Sequence, residues 1–201
     1  MNFLAHIYLS GNNANVMVGN FIGDFVKGRD LKGHFLPEIA LGIDLHRSID
    51  EYTDQHPVVR ESKLKLRPRY RHYAPVIVDV FYDHFLSKYW DNYHVQPLAE
   101  FAAETYKVLE SYRAFLPDAV KQMLPYMIRD NWLVAYGTFD GINQALTGMA
   151  RRSRHDSKMD ESLVELKEYY EEFLDEFKRF FPDLSNHCQQ VLSQANENLL
   201  L

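Results

Sequence analysis

Cysteine is nearly absent from this chain. Cys188 is the single one in 201 residues. No internal disulfide and no zinc–thiolate cluster can form, and a reducing cytoplasm is the expected setting. Long apolar runs are missing as well. The opening Met-Asn-Phe-Leu-Ala-His has no basic start, and His6 interrupts it. That argues against a signal peptide, and no uncharged run approaches the roughly 20 residues that a membrane helix needs. Basic excess is also lacking: 22 Lys and Arg face 28 Asp and Glu, for a formal charge of −6. A general nucleic-acid binder is therefore disfavoured. Glu-x-x-His, Gly-x-Ser-x-Gly and Walker patterns do not occur, and Gly19 and Gly23 do not complete a dinucleotide fingerprint. Ferritin-like di-iron, α/β-hydrolase and P-loop chemistry are thus unsupported.

Strand alternation bounded by hairpin turns is absent, and helical periodicity dominates. The hydrophobic fraction of 46% against 25% charged is that of an ordinary globular chain. One all-α domain over residues 1–201 is expected, without repeat or linker. Asn13 is placed to cap a helix over 14–27 that closes at Gly28. Gly19 and Gly23 lower helix propensity there, so their use is close approach of another helix or a ligand. Pro37 suits the first turn of the next helix. Pro57 and Pro68 bound a short basic segment. Helices follow near 74–90, 96–115, 117–136 and 138–150, with a loop over 151–158. A long amphipathic helix over 160–181 is expected to stop at Pro182, before a last helix.

Residues 42–54, Gly-Ile-Asp-Leu-His-Arg-Ser-Ile-Asp-Glu-Tyr-Thr-Asp, set His46 and Asp50 four apart on one helix face. Such a pair can hold a metal ion or serve as acid and base, and it can equally be an ordinary polar pair. Arg47 can meet a phosphate oxygen or steady a carboxylate. The helix from Ala74 is apolar nearly all round yet carries Asp79, Asp83 and His84. Buried carboxylates require a partner, either a cationic side chain or a metal.

His6, Asp24, His46, Asp50, Asp79, Asp83 and His84 therefore form one candidate group, spread over four apolar segments and expected to converge on a single metal pocket. Among them Asp24, His46, Arg47 and Asp50 are the candidate catalytic residues. Mixed His/Asp ligands suit Mn²⁺, Fe²⁺, Mg²⁺ or Zn²⁺. Such a site can activate water and clamp a phosphoryl group, with a further carboxylate as general base. His34, His56, His72, His94, His155 and His187 read as surface residues.

Arg60, Lys63, Lys65, Arg67, Arg69 and Arg71 stand against one acid, Glu61. On an acidic protein this local reversal suits an acidic partner, or else a solvated face balancing the acidic C-terminal region. Arg151, Arg152 and Arg154 form a smaller run that can add to the same surface.

The residues Met1 to His6, Gly19-Asn20 with Asp24 to Gly28, Gly42-Ile43 with His46-Arg47 and Ile49-Asp50, Asp79 with Asp83-His84-Phe85-Leu86-Ser87, and Trp132-Leu133-Val134 with Gly148-Met149-Ala150 together resemble the bacterial acyl carrier protein phosphodiesterases. The likeness runs across nearly the whole chain. It implies hydrolysis of the phosphodiester joining 4′-phosphopantetheine to a carrier-protein serine, with Mn²⁺ the first choice of metal and Mg²⁺ or Fe²⁺ as alternatives. It also implies kinship with the HD-type metal phosphohydrolases, and so an HD-domain-like all-α fold. Their His-Asp dipeptide is not reproduced, because Arg47 follows His46 and the one His-Asp pair is His155-Asp156. Asp50, or Asp83 with His84, is the expected replacement. An acidic carrier protein complements residues 60–71, and the pantetheine arm needs a channel that no stretch of sequence marks. Two other readings stay open: an HD-like phosphohydrolase of a small phosphate ester or nucleotide, and a non-catalytic helical binding module.

Overall fold

A computed structural model of the chain describes residues 1–28, 31 and 33–199. Helices follow one another as α1 (Phe3–Tyr8), α2 (Ala14–Ile22), α3 (Pro37–Gln55), α4 (Pro57–Tyr70), α5 (Ala74–Lys88), α6 (Leu98–Ser111), α7 (Asp118–Arg129), α8 (Trp132–Ala135), α9 (Phe139–Arg152), α10 (Leu163–Glu168) and α11 (Tyr170–Leu199). The chain is all-α, as its periodicity predicts. None of the described helices is long and apolar enough to cross a membrane.

The central helix is α5. Ile77, Val78, Phe81, Tyr82, Phe85 and Leu86 are wholly buried on different sides of it, which is what an all-round apolar helix demands. Helices α1, α4, α9 and α11 pack against it. Between α2 and α3 the backbones touch. A Cβ on Gly19 would stand 2.1 Å from the Ile39 carbonyl oxygen, and one on Gly42 would stand 2.1 Å from that of Val16. Only glycine permits this crossing, and the crossing sets Asn20 of α2 beside His46 of α3.

Several expected boundaries move. Asn13 does cap α2, accepting from the Asn15 and Val16 amides at 2.9 and 3.2 Å. The helix nevertheless ends at Ile22 and tightens into a 3₁₀ turn over Gly23–Phe25, which turns Asp24 outward. Pro57 opens α4 as predicted, but Pro68 lies inside that helix rather than bounding it. The expected 117–136 helix breaks at Asn131, whose left-handed φ of 43° a short polar side chain tolerates.

Pro182 does not stop a helix: α11 runs through it. A proline inside a helix costs about 3 kcal/mol. Phe173, Phe177, Phe180 and Phe181 are all buried along α11, at roughly 1.5–3 kcal/mol each. That continuous apolar stripe outweighs the one lost hydrogen bond.

Candidate metal centre

His6 of α1 and His46 of α3 stack ring on ring, with centroids 4.1 Å apart. Asn20 orients both. Its side-chain amide donates to the His6 carbonyl oxygen at 2.7 Å and to Ser10 Oγ at 2.9 Å. Its Oδ1 therefore accepts from His6 Nδ1 at 2.8 Å, while its backbone oxygen accepts from His46 Nδ1 at 2.7 Å. With both Nδ1 atoms engaged as donors, each ring turns Nε2 toward Asp50. The distances are 3.3 Å from His6 to Asp50 Oδ1 and 3.2 Å from His46 to Asp50 Oδ2. Asp24 Oδ1 stands 3.2 Å from His46 Nε2. Gly23 leaves room for this ring, since a Cβ there would lie 2.2 Å from His46 Cγ.

Burial and close neighbours together set the charges of this group. Burial pushes the His6 pKa down, only partly offset by Asp50. A neutral His6 that donates from Nδ1 carries a lone pair on Nε2, aimed at the Asp50 carboxylate and lying 3.2 Å from the Met1 carbonyl oxygen. In that tautomer the Nε2 lone pair and the carboxylate are together compatible with a divalent cation. Burial also disfavours charge on His46, but Asp24 and Asp50 outweigh it and lift its pKa to about 9. Burial opposes charge on Asp50 too, yet the hydrogen bond from His46 and the Met1 α-amine 3.9 Å away hold its carboxyl far below the usual range. A hydrogen bond from His46 likewise holds Asp24 down. Ligand atoms of His6, His46 and Asp50 all lie within 4.8 Å of one another, a spacing that a divalent ion can bridge after small side-chain movements. The Nδ1–H donors to Asn20 are the outer hydrogen bonds that metal-binding imidazoles characteristically make.

The remaining candidates separate. Asp79 faces the Met1 α-amine at 3.0 Å, and burial raises its pKa despite that neighbour. Asp83 does not reach the His6–His46 pair. It is wholly buried and accepts from the Asn2, Leu4 and Ala5 amides at 3.2, 2.8 and 3.3 Å, capping the N-terminus of α1. Burial pushes its pKa up to about 7, against the pull of the α-amine and those three donors. His84 turns elsewhere, its Nδ1 donating to the Tyr136 carbonyl oxygen at 2.8 Å and its ring stacked on Phe139. Arg47 bonds to the Gly28 carbonyl oxygen at 2.6 Å and to Asp44 at 3.3 Å. It thereby ties down the segment that follows Asp24. Three histidines read as surface residues are partly covered: His187 meets Ser48 Oγ at 2.8 Å and stacks on Tyr52, His56 packs edge-on against Phe180, and His94 packs against Trp90 and Phe101.

Asp24, Asp50 and Asp79 line a cleft of about 1040 Å³, whose other walls come from α5, α7, α8 and α9. Val76, Met123, Tyr126, Trp132 and Met149 give it an apolar lining, and Arg129, Arg151 and Arg152 contribute cations. The sequence showed Asn20 on the same face as Asp24 but not its hold on two imidazoles. Of the walls from α7 to α9, the sequence marked Trp132 and Gly148-Met149 only through the family resemblance, and Arg151 and Arg152 only as a basic run.

The basic run on α4 is partly consumed within the chain. Lys63 pairs with Asp54 at 2.7 Å, Lys65 with Glu172 at 3.4 Å and with Glu176, and Arg69 with Glu165 at 2.8 Å and with Glu161. These contacts fasten α4 to the end of α3, to α10 with the turn before it, and to α11. Arg60, Arg67 and Arg71 are exposed.

The family model described as acyl carrier protein phosphodiesterase matches residues 1–184. Curated relatives carry the same name. One from Photorhabdus laumondii is 32% identical over 90% of this chain and 92% of its own length. Two from Escherichia coli strains are 36% identical over 94% of this chain and 98% of theirs, and 35% identical over the full length of both. No solved structure matches the chain. With the match spanning α1, the 3₁₀ turn after α2 and α3, which carry His6, Asp24, His46 and Asp50, the chain belongs to the acyl carrier protein phosphodiesterase family.

Proposed function

We propose that the protein hydrolyses the phosphodiester between 4′-phosphopantetheine and the serine of acyl carrier protein, using a divalent metal held by His6, His46 and Asp50. The observation that carries this reading is the joining of that donor set to an apolar cleft through Asp50 and Asp24, in a chain of this family. The family resemblance puts Mn²⁺ first, with Mg²⁺ or Fe²⁺ as alternatives, and two imidazoles with a carboxylate are a donor set for a first-row divalent ion. The ion supplies Lewis-acid activation of water and charge neutralisation at phosphorus.

The protein's own groups do the rest. Asn20 fixes both imidazoles, and Asp50 faces both rings and the cleft. Asp24, 70% exposed at its side chain, is free to take a proton from the attacking water. Water adds to phosphorus, the bond from phosphorus to the serine oxygen breaks, and that oxygen leaves with a proton. Apo carrier protein and 4′-phosphopantetheine are the products. The apolar walls suit the pantetheine arm, which carries few charges beyond its phosphate.

Mass spectrometry of holo carrier protein incubated with the protein and Mn²⁺ tests the reading. The expected result is loss of the phosphopantetheine mass, abolished by His46→Ala. A carrier protein that stays holo while small phosphodiesters are cleaved would favour the small-ester phosphohydrolase instead.

A further inference from the structure

The two basic runs, 80 or more residues apart in sequence, meet in the structure. Tyr73, just beyond the end of the α4 run, lies with its hydroxyl 2.6 Å from Ser153 Oγ, in the middle of the Arg151–Arg154 stretch. Arg71, Arg151, Arg152 and Arg154 are all exposed. None of the four takes part in an ion pair among the described residues, whereas Lys63, Lys65 and Arg69 do. Arg151 and Arg152 line the same cleft as Asp24 and Asp50. Residues 151–158 hold four Arg or Lys against one acid, Asp156, on a chain of net charge −6. Arg129, also in the cleft wall, is already neutralised by Asp130 at 2.7 Å.

We infer that the rim formed by Arg71, Arg151, Arg152 and Arg154 is the docking surface for an acidic helical face of the carrier protein, with its prosthetic arm entering the cleft beside it. This rests on the function proposed above. Charge complementarity favours it over the α4 face, where Lys63, Lys65 and Arg69, half of the run, are already paired within the chain. Continuity favours it too, because among the described residues Arg151 and Arg152 line the cleft that leads to Asp50 and no residue of the α4 run does. Unpaired exposed cations act at long range and set the association rate and its salt dependence. Val76 and Tyr126, both exposed apolar residues of the cleft, give the docked partner a non-polar contact next to the charges.

The test compares steady-state hydrolysis of holo carrier protein, and association with apo carrier protein, across charge variants of the Mn²⁺-loaded enzyme. In Arg151→Glu/Arg152→Glu/Arg154→Glu, KM is expected to rise about tenfold or more at low salt while kcat changes far less, with a matching fall in association rate. The neutral variant Arg151→Gln/Arg152→Gln/Arg154→Gln should shift the same way by a smaller factor, and its melting temperature should stay near the parent's because these side chains are exposed. Arg60→Glu/Arg67→Glu on the α4 face should have the lesser effect. Parental KM in both rim variants, or a larger rise in the α4 variant, would overturn the rim. A parent that neither binds nor processes carrier protein would instead remove the function on which the rim depends.

Discussion

His6 and His46 reach each other from helices 40 residues apart, and one residue between them in sequence, Asn20, fixes the tautomer of both. Their stacking at 4.1 Å makes a two-imidazole wall with Asp50 closing it. The geometry prescribes what should happen when each support is removed.

Asn20→Ala removes the acceptor of the His6 ring N–H and the donor to the His6 carbonyl oxygen and Ser10 Oγ, while His46 keeps its backbone acceptor. A loss of about 1–3 kcal/mol of stability is expected for each buried group left unsatisfied. Metal affinity should fall about 10- to 100-fold. Calorimetric titration with Mn²⁺ alongside thermal unfolding checks both. Parental metal affinity in this variant would show that the His6 tautomer needs no such support.

Gly23→Ala places a methyl 2.2 Å from His46 Cγ, so the ring must move. Alanine is otherwise the better helix former by about 1 kcal/mol. Activity is expected to fall by about tenfold or more, since an ångström of misplacement costs that much. Parental kcat in this variant would mean that the ring has another resting place.

Metal and fold should respond differently to the two kinds of aspartate. At 100 times its dissociation constant, Mn²⁺ should stabilise the parent by about 2.7 kcal/mol, and Asp50→Ala should abolish that gain. Asp83→Ala should instead lower stability by about 2 kcal/mol or more through the lost α1 cap. The folded fraction should keep the parent's metal affinity. Loss of metal binding in folded Asp83→Ala would return that carboxylate to the centre.

His84 gives a pH signature apart from the metal. Burial lowers its pKa to about 4, while the unfolded chain carries the ordinary value of 6.5. Below pH 6.5 the unfolded state binds a proton that the folded state refuses, so stability is full above 6.5 and falls as pH drops toward 4. The sum is about 3 kcal/mol at most. Denaturant titrations of His84→Gln between pH 4 and 7 should show a shallower acid slope than the parent's. Parallel slopes would mean that the folded ring protonates normally.

Pro182→Ala should raise stability by about 1–3 kcal/mol, because α11 already runs through this position and alanine restores the amide donor. Urea unfolding measures it. Destabilisation would show that the helix depends on the proline.

The sequence by itself determined the all-α class, the central position of α5, the Asn13 and Pro37 helix starts, and the pairing of His46 with Asp50. These follow from spacing within one helix or from composition, which are local. Its candidate list also contained His6 and Asp24. It could not separate them from Asp83 and His84, because a buried aspartate that caps a helix and one that faces a cleft look alike in an apolar stretch. Only the tertiary structure decided that question, through the Gly19–Gly42 crossing that sets Asn20 against both imidazoles. It also decided that α11 passes through Pro182, where core burial exceeds a local penalty. And it turned the α4 basic run partly inward, since a cation's partner in an ion pair depends on which acidic helix packs beside it, a long-range fact that charge counting along the chain does not hold.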